Sequence, residues 1–413
     1  MDPLFRAYGS IRYGQRDPLI RLAGEQDIPA IAELFRLNYG DGYAFPDVYD
    51  GTWVKRSIHS EQIICLVLVQ DGRVLASGSV ILNEGGQVDK AGEMARLVVR
   101  PEFGHMGLGR RILTALFNVA ENMLEFAVGE ARTAHSITQE LVEQGGFAIN
   151  GFVPMYHVVE GRRESQVLYA KLHGDGQFLR TKVPPRLIPE VAPLARFVLR
   201  GMGLPDNVVA VEDAAQFAAV GDSRQTPTSA SVAVSPLDRE SVGPLMRIPH
   251  GRLVEPLLFG NVSLAEGFSQ VRGKAQYLVA RDAGRVPVGA VGFSFDERNR
   301  LLKGQELIGE GEGVWLSLCE AVVRAGEEAG AELVELNVSA YAPRLQRMLH
   351  TLGFRPAAYA PAMVFRGTER LDVLKMVRLG VAYAPGEMAL TEAARVMRSL
   401  VEPSFVGASA RAS

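Results

Sequence analysis

Two rhythms of apolar and polar positions alternate along the first half of the chain. Ile20-Arg21-Leu22, Ile63 to Gln70, Val74 to Leu82, Leu97-Val98-Val99 and Phe126 to Thr133 are apolar or β-branched runs of strand length. Between them lie Ile31-Ala32-Glu33-Leu34-Phe35-Arg36, then Leu108, Ile112, Leu116 and Val119, then Gln139 to Gln144, patterned as amphipathic helices. The second and third strands are separated by Asp71-Gly72, a hairpin-turn pair. The last of these helices ends in Gly145-Gly146-Phe147, where Gly146 supplies the cap and Phe147 opens the next strand. The predicted order over residues 18–172 is β-α-β-β-β-α-β-α-β.

The turn after Val99 holds the most informative chemistry. Gly104, Gly107 and Gly109 open the following helix, with His105, Arg110 and Arg111 among them. Glycines let a backbone approach a ligand closely, and the first turn of a helix presents unpaired N–H groups with partial positive charge. Such a loop suits a phosphate or pyrophosphate, or else is a tight strand-to-helix turn without a ligand. The glycines do not have the Gly-x-Gly-x-x-Gly spacing of a dinucleotide site. Gly104-His105-Met106-Gly107-Leu108-Gly109 resembles motif A of the GNAT superfamily of N-acetyltransferases, Arg/Gln-x-x-Gly-x-Gly/Ala, with Gly104 departing at the first position. The Gly146-Phe147 stop and the element order resemble the same superfamily over residues 18–172. The resemblance implies an α/β (α+β) fold, a mixed, mostly antiparallel twisted sheet flanked by helices. It also implies acetyl-CoA or another acyl-CoA as co-substrate and no metal. The pyrophosphate would rest on the loop, with Leu97, Val98, Val99, Gly104, His105, Met106, Gly107, Leu108, Gly109 and Arg110 as the CoA-binding residues.

The chain is long enough for more than one such unit. At 413 residues it exceeds the usual single core. Phe354 stands 207 positions after Phe147, and at that offset Gln346 meets Gln139, Gly353 meets Gly146, Tyr359 meets Phe152 and Pro361 meets Pro154. So long a period points to two whole domains rather than a solenoid. The expected organisation is a CoA-binding domain at 18–172, a connector with a helix at 173–226, a degenerate second GNAT-like domain at 227–380, and a helix with a disordered tail at 381–413. Within the connector, Val191 to Met202 is the helix and Asp222 to Ser229 a polar, mobile stretch. The two domains are expected to pack on one another. In the second domain Gly309, Glu310, Gly311, Glu312 and Gly313 stand where the phosphate loop belongs, and two carboxylates there oppose an anion by about 1 kcal/mol or more each.

Composition narrows the class. Hydrophobic residues are 47% and charged residues 22%, with a net charge of −3, so no basic field invites nucleic acid. No apolar run is long enough to span a bilayer, and Arg6, Arg12 and Arg16 precede no signal-type core. Cys65 and Cys319 read as buried thiols of a reducing compartment, so a cytoplasmic location is expected.

Acyl transfer to an amine needs a base for the ammonium proton and an acid for the leaving thiolate. The resemblance would place a tyrosine acid four residues before the Gly of Gly-Phe, yet Val142 and Leu349 stand there. Glu93, placed just before the fourth strand, is the candidate base; His135 at the end of the fifth strand and Tyr156 after Pro154 are further candidates. The segment Asn38 to Asp50, with Tyr39, Tyr43 and Asp47, would line the pocket of a small-molecule or protein amine. Two functions remain open: an acyl-CoA-dependent N-acyltransferase, or a non-catalytic CoA-binding sensor or scaffold.

Overall fold

The structure, a computed structural model, describes residues 18–82, 89–159, 161–212, 232–248, 275–309 and 311–409. The first half runs β1 (Leu19–Leu22), α1 (Ile28–Tyr39), α2 (Gly51–Ile58), β2 (Ile63–Gln70), β3 (Arg73–Leu82), β4 (Ala91–Val99), α3 (Leu108–Met123), β5 (Phe126–Arg132), α4 (Ile137–Gln144), β6 (Ala148–Val159) and β7 (Arg162–Leu172). The order read from the sequence is present, with α2 and β7 added. Asp71 and Gly72 both take positive φ, as the β2–β3 hairpin requires.

Then come α5 (Gly176–Leu179), β8 (Arg186–Leu187), α6 (Ala192–Gly201) and β9 (Val209–Ala210). The second half runs β10 (Ala233–Pro236), α7 (Val242–Met246), β11 (Ala275–Arg281), β12 (Pro287–Asp296), β13 (Leu301–Gly309), α8 (Glu312–Glu328), β14 (Leu333–Ser339), α9 (Pro343–Thr351), β15 (Arg355–Arg366) and β16 (Glu369–Leu379). Helices α10 (Glu392–Val401) and α11 (Pro403–Ser409) close the chain. The tail expected to be disordered from Gly407 is therefore helical as far as Ser409, and residues 410–413 lie outside the described residues, as do Arg6, Arg12, Arg16 and Asp222 to Ser229.

Among the described residues fourteen strands form one sheet, in the order β1-β2-β3-β4-β5-β7-β6-β15-β16-β14-β13-β12-β11-β10. Among its described strands, β4–β5 and β13–β14 pair in parallel and the other neighbours antiparallel. The halves join where Gly151 on β6 faces Ala358 on β15, its own counterpart 207 positions later. A Cβ on Gly151 would lie 2.2 Å from that of Ala358, so the close approach requires glycine.

The seam repeats itself about this point as an isologous interface does. Arg163 donates to the carbonyls of Met155 (2.7 Å) and Tyr156 (3.4 Å), and crosses to the Glu332 carboxylate (2.6 Å) and the Asn299 carbonyl (2.7 Å). Arg370 donates to the carbonyls of Ala362 (2.7 Å) and Met363 (2.8 Å), and crosses to the carboxylates of Glu125 (2.9 Å) and Asp89 (2.8 Å). Met155 and Ala362 carry matching positive φ values of 51° and 54° in the two bulged strands.

The segment after each half crosses to the other. Leu187, Ile188, Leu194, Val198 and Leu199 are buried, and α6 packs on β15 of the second half. Ala394, Met397 and Val401 of α10 are buried in turn, and α10 packs on β6 of the first half. The described part of the connector is thus a structural arm. Cys65 and Cys319 are free thiols, the latter pushed up to about 12 by burial. Among the described residues no helix is long and apolar enough to cross a membrane.

Candidate active site

The phosphate-type loop is built by a conformational switch at Gly107. Pro101–Met106 forms a short 3-10 turn, and Gly107 at φ 71° turns the chain into α3. A side chain there would be strained, whereas nothing in the protein lies within 4 Å of where a Cβ would stand on Gly104 or Gly107. The open side is the one a ligand would use, and the N–H groups of Leu108, Gly109 and Arg110 begin the helix unpaired within it. Arg100, 4% exposed, anchors the loop, donating to the Val74 carbonyl (2.9 Å) and to Glu33 (2.5 Å). His105 and Met106 are exposed beside it, and Arg110 is tethered to Gln144 of α4 at 2.5 Å. These residues fit a pyrophosphate.

One face of α3, with Leu108, Ile112, Leu113 and Leu116 buried, packs on the sheet and leads from the loop toward a gap between strands. Leu116 lies about 12 Å along the axis from Leu108. Strands β4 and β5 pair only as far as Met94 and Gly129. Beyond that point β4 bulges, with Arg96 at φ 59° and its guanidinium 4.6 Å from the Trp53 ring centre. The parted strands enclose a cavity of about 170 Å³.

The cavity gathers Tyr39, Tyr43, Glu93 and His135 from the residues singled out in the sequence, and Leu97 from the strand segment. Glu93 lies within β4, not before it, because the strand begins at Ala91. Val98 turns instead into the buried cluster beneath α1 and α2, and the Val99 carbonyl accepts from Asn38 at 2.9 Å. Asp47 is exposed in the turn Pro46–Tyr49 and does not line the cavity. Tyr156 is buried and faces the second half, its ring 5.5 Å from the Lys303 ammonium and 5.9 Å from that of Lys375. Burial pushes its hydroxyl far above the usual phenol range, and it does not line the cavity.

The sequence reading missed Glu130, Arg132, His157, Glu164 and Gln166, all of which line the cavity. Glu130 and Arg132 alternate on β5 and share a face, a period-two polar signal within an interior strand. Arg132 is held by Glu164 at 2.7 Å and lies 5.6 Å from the Tyr39 ring centre. Glu164 also accepts from the Ala134 N–H at 2.9 Å, which fixes the turn carrying His135. Partial burial and the Arg132 charge hold the His135 imidazole below its ordinary value, so it is neutral at neutral pH. Burial and the Tyr39 phenol, more than the nearby carboxylates, push the Tyr43 hydroxyl up, so it keeps its proton. Glu130 makes no hydrogen bond or ion pair with another described residue.

Among the described residues the second half keeps none of the charged and polar groups that β4, β5, the following turn and β7 bring to this cavity. Lys303 takes the register position of Glu93, pairing with Glu335 as Glu93 pairs with Val128. At 207 positions on, Glu130 becomes Asn337, Arg132 Ser339, His135 Ala342, Glu164 Leu371 and Gln166 Val373. Only residues 310 and 311 separate β13 from α8, where eight residues separate β4 from α3. The second loop is therefore shorter than its glycine spacing suggested. Glu312 begins α8 and pairs with Arg344 at 2.7 Å, while the Trp315 indole donates to the Gly309 carbonyl at 3.1 Å. Glu310 lies outside the described residues.

A glycine loop at the head of a helix, leading to a cavity where two parallel strands part, defines an acetyltransferase-type domain. Residues 28–139 match the profile of the acetyltransferase (GNAT) family, and the first half of the chain carries a domain of that family. No curated protein matches the sequence. Among solved structures, the chain is similar to the ribosomal-protein-S18-alanine N-acetyltransferase of Escherichia coli at 20% identity, covering 37% of this chain and 92% of that one, TM-score 0.32. It is similar to yncA of Salmonella typhimurium, solved with its cofactor acetyl-CoA, at 20% identity over 38% and 95% of the two chains, TM-score 0.34. It is similar also to the ribosomal-protein-alanine N-acetyltransferase of Brucella melitensis, at 19% identity over 37% and 99%, TM-score 0.34.

Proposed function

We propose that the protein is an acyl-CoA-dependent N-acyltransferase that transfers acetyl from acetyl-CoA to a cationic amine, with its working site in residues 18–172. The observation that carries this is Glu130, a carboxylate with no hydrogen bond or ion pair to another described residue, in a cavity also lined by Leu113 and Leu116 of α3, the helix that the glycine loop opens. Leu108, Gly109 and Arg110 would hold the pyrophosphate through their N–H groups, and Leu113 and Leu116 of the same helix line the cavity. Acetyl-CoA supplies the acyl group as a thioester; the N–C bond forms as the C–S bond breaks, and CoA leaves as the thiol.

The residues of the cavity do the rest. Tyr39, Tyr43 and Phe45 form an aromatic wall that suits an ammonium. Glu130, with Glu93 on the neighbouring strand, takes the proton the amine must lose before it attacks. Neutral His135 at the rim accepts a second hydrogen bond, and protonated Tyr43 is the phenol available to the leaving sulfur in place of the one absent at Val142. The second half is a GNAT-type domain whose described residues keep none of the catalytic groups of β4, β5 and the β5–α4 turn, acting as the structural partner of the first.

Val142 favours the alternative, a CoA-binding sensor without turnover. The test is thiol release from acetyl-CoA with a panel of primary amines. Wild type should release thiol with at least one amine, and Gly107→Val, folded by circular dichroism, should neither bind acetyl-CoA nor turn over. Tight binding without thiol release from any amine would establish the sensor instead.

A further inference from the structure

Gln139 of α4 is fully buried and grips two separate stretches of chain. Its Nε2 donates to the carbonyls of Arg132 (3.0 Å), His135 (3.2 Å) and Ala389 (2.9 Å), and its Oε1 accepts from the Thr391 N–H (3.1 Å). The Ala389 N–H in turn donates to the Thr133 carbonyl at 2.8 Å. Residues 389–391 belong to the extended strap that leaves the second half and leads into α10. Arg132, His135, Thr138 and Val142 all line the cavity. One amide therefore ties a segment delivered by the second half to the back of the turn that forms the cavity wall.

The same clasp exists once more, where Asn337, Ser339 and Ala342 replace Glu130, Arg132 and His135. Gln346 of α9, also fully buried, accepts from the Ile188 N–H (3.1 Å) and donates to the carbonyls of Arg186 (3.2 Å) and Ser339 (3.0 Å). The Arg186 N–H donates to the Ala340 carbonyl at 2.9 Å. The chemistry and burial of the two clasps match, but Ser339 and Ala342 stand where Arg132 and His135 line the cavity.

We propose that Gln139 is a positioning residue for the acyl-donor end of the cavity, acting through the β5–α4 turn, and that the strap around Ala389 is the second half's contribution to the site. This rests on the acyltransferase reading for its kinetic consequence, though not for its effect on acetyl-CoA affinity. A side chain of similar volume without the amide leaves the carbonyls of Arg132, His135 and Ala389 without that donor, and the turn is freed to shift. A displacement of that kind near reacting atoms lowers turnover by about 10- to 100-fold.

The duplicated clasp supplies the control. Gln139→Leu and Gln346→Leu in the full chain should lower the melting temperature by similar amounts. Only Gln139→Leu should weaken acetyl-CoA binding by calorimetry, by about tenfold, and lower kcat by about 10- to 100-fold; Gln346→Leu should leave both within twofold. Ala389→Pro and Arg186→Pro, which each remove one strap N–H and fix the local φ while leaving both glutamines in place, form a second pair should a glutamine variant fail to fold, and should show the same asymmetry. Equal effects of the two members of a pair on affinity, or none from either, would overturn the proposal and leave Gln139 structural. A wild type that binds acetyl-CoA but releases no thiol would sink the acyltransferase reading, while the affinity comparison would still decide for or against the clasp. A wild type that binds no acetyl-CoA would overturn both.

Discussion

Glu130 and Glu93 stand on the two strands that part at the cavity, and their surroundings separate their roles. Glu130 has no hydrogen-bond or ion-pair partner among the described residues, though its charge acts on His157 and Lys303, whereas Glu93 has an interaction partner of its own. A base must have a free oxygen toward the ammonium, so Glu130→Gln should lower kcat/KM for the amine by about 10²- to 10⁴-fold. Glu93→Gln should cost less than about tenfold, and neither should change the calorimetric affinity for acetyl-CoA. Steady-state thiol release decides it, and a larger loss from Glu93→Gln would reverse the assignment. At this scale the sequence was a good guide where a side chain's facing follows from its element. Tyr39 closes α1, His135 follows β5, and both reach the cavity. It misled at Tyr156, because the bulge at Met155, with its positive φ, breaks the strand alternation there and the tyrosine turns to the second half. Asp47 failed for a related reason: turn residues share no periodicity from which a direction can be read.

Among elements, the two glycine loops and the two seam arginines show how far a repeat can diverge while its framework holds. The charge contrast between the loops was legible in Glu312. The loss of six residues between β13 and α8 was not, because the glycines kept their spacing while Gly309 became the last residue of β13, a strand of nine residues like β4. The seam locks were invisible in the sequence, since their partners lie far away along the chain and meet only across β6 and β15. They also differ in strength. Arg370 is fully buried between two carboxylates, Asp89 and Glu125, while Arg163 faces the neutral Asn299 and Glu332, which is 23% exposed and shared with Arg300. Removing one partner of a buried pair leaves an uncompensated charge, so Arg370→Met should cost about 3–5 kcal/mol. Arg163→Met should cost less, about 1–3 kcal/mol. Denaturant unfolding of the two variants provides the comparison, and an equal or larger loss at Arg163 would contradict the burial argument.

On the scale of the whole molecule, the halves are joined as the subunits of a two-fold dimer are, by a contact in which each residue meets the partner of its own counterpart. A fragment of residues 18–175 would lose this contact entirely. Asp89 and Glu125 would lie without Arg370, the Gln139 clasp would lose its strap, and the apolar seats of α6 and α10 would face water. It should be insoluble or self-associate without a fixed stoichiometry. A fragment of residues 18–211 keeps the first arm, and its own groups can complete the seam. Arg163 of one copy would find Glu125 and Asp89 of another in place of Glu332 and Asn299, and Gly151 would meet Gly151 with more room than Ala358 leaves it. Arg186 and Ile188 would be offered to Gln139 of the opposite copy as Ala389 and Thr391 are in the intact chain. This longer fragment should therefore form a symmetric dimer with two acetyl-CoA sites, whereas the full chain should bind one acetyl-CoA and lose it in Gly107→Val but not in Gly311→Val. Light scattering with calorimetric titration measures both quantities. A soluble, monomeric and fully active fragment 18–175 would show that the second half is not the structural partner of the first, and two equivalents of acetyl-CoA bound per intact chain would show that it is not a domain without a ligand.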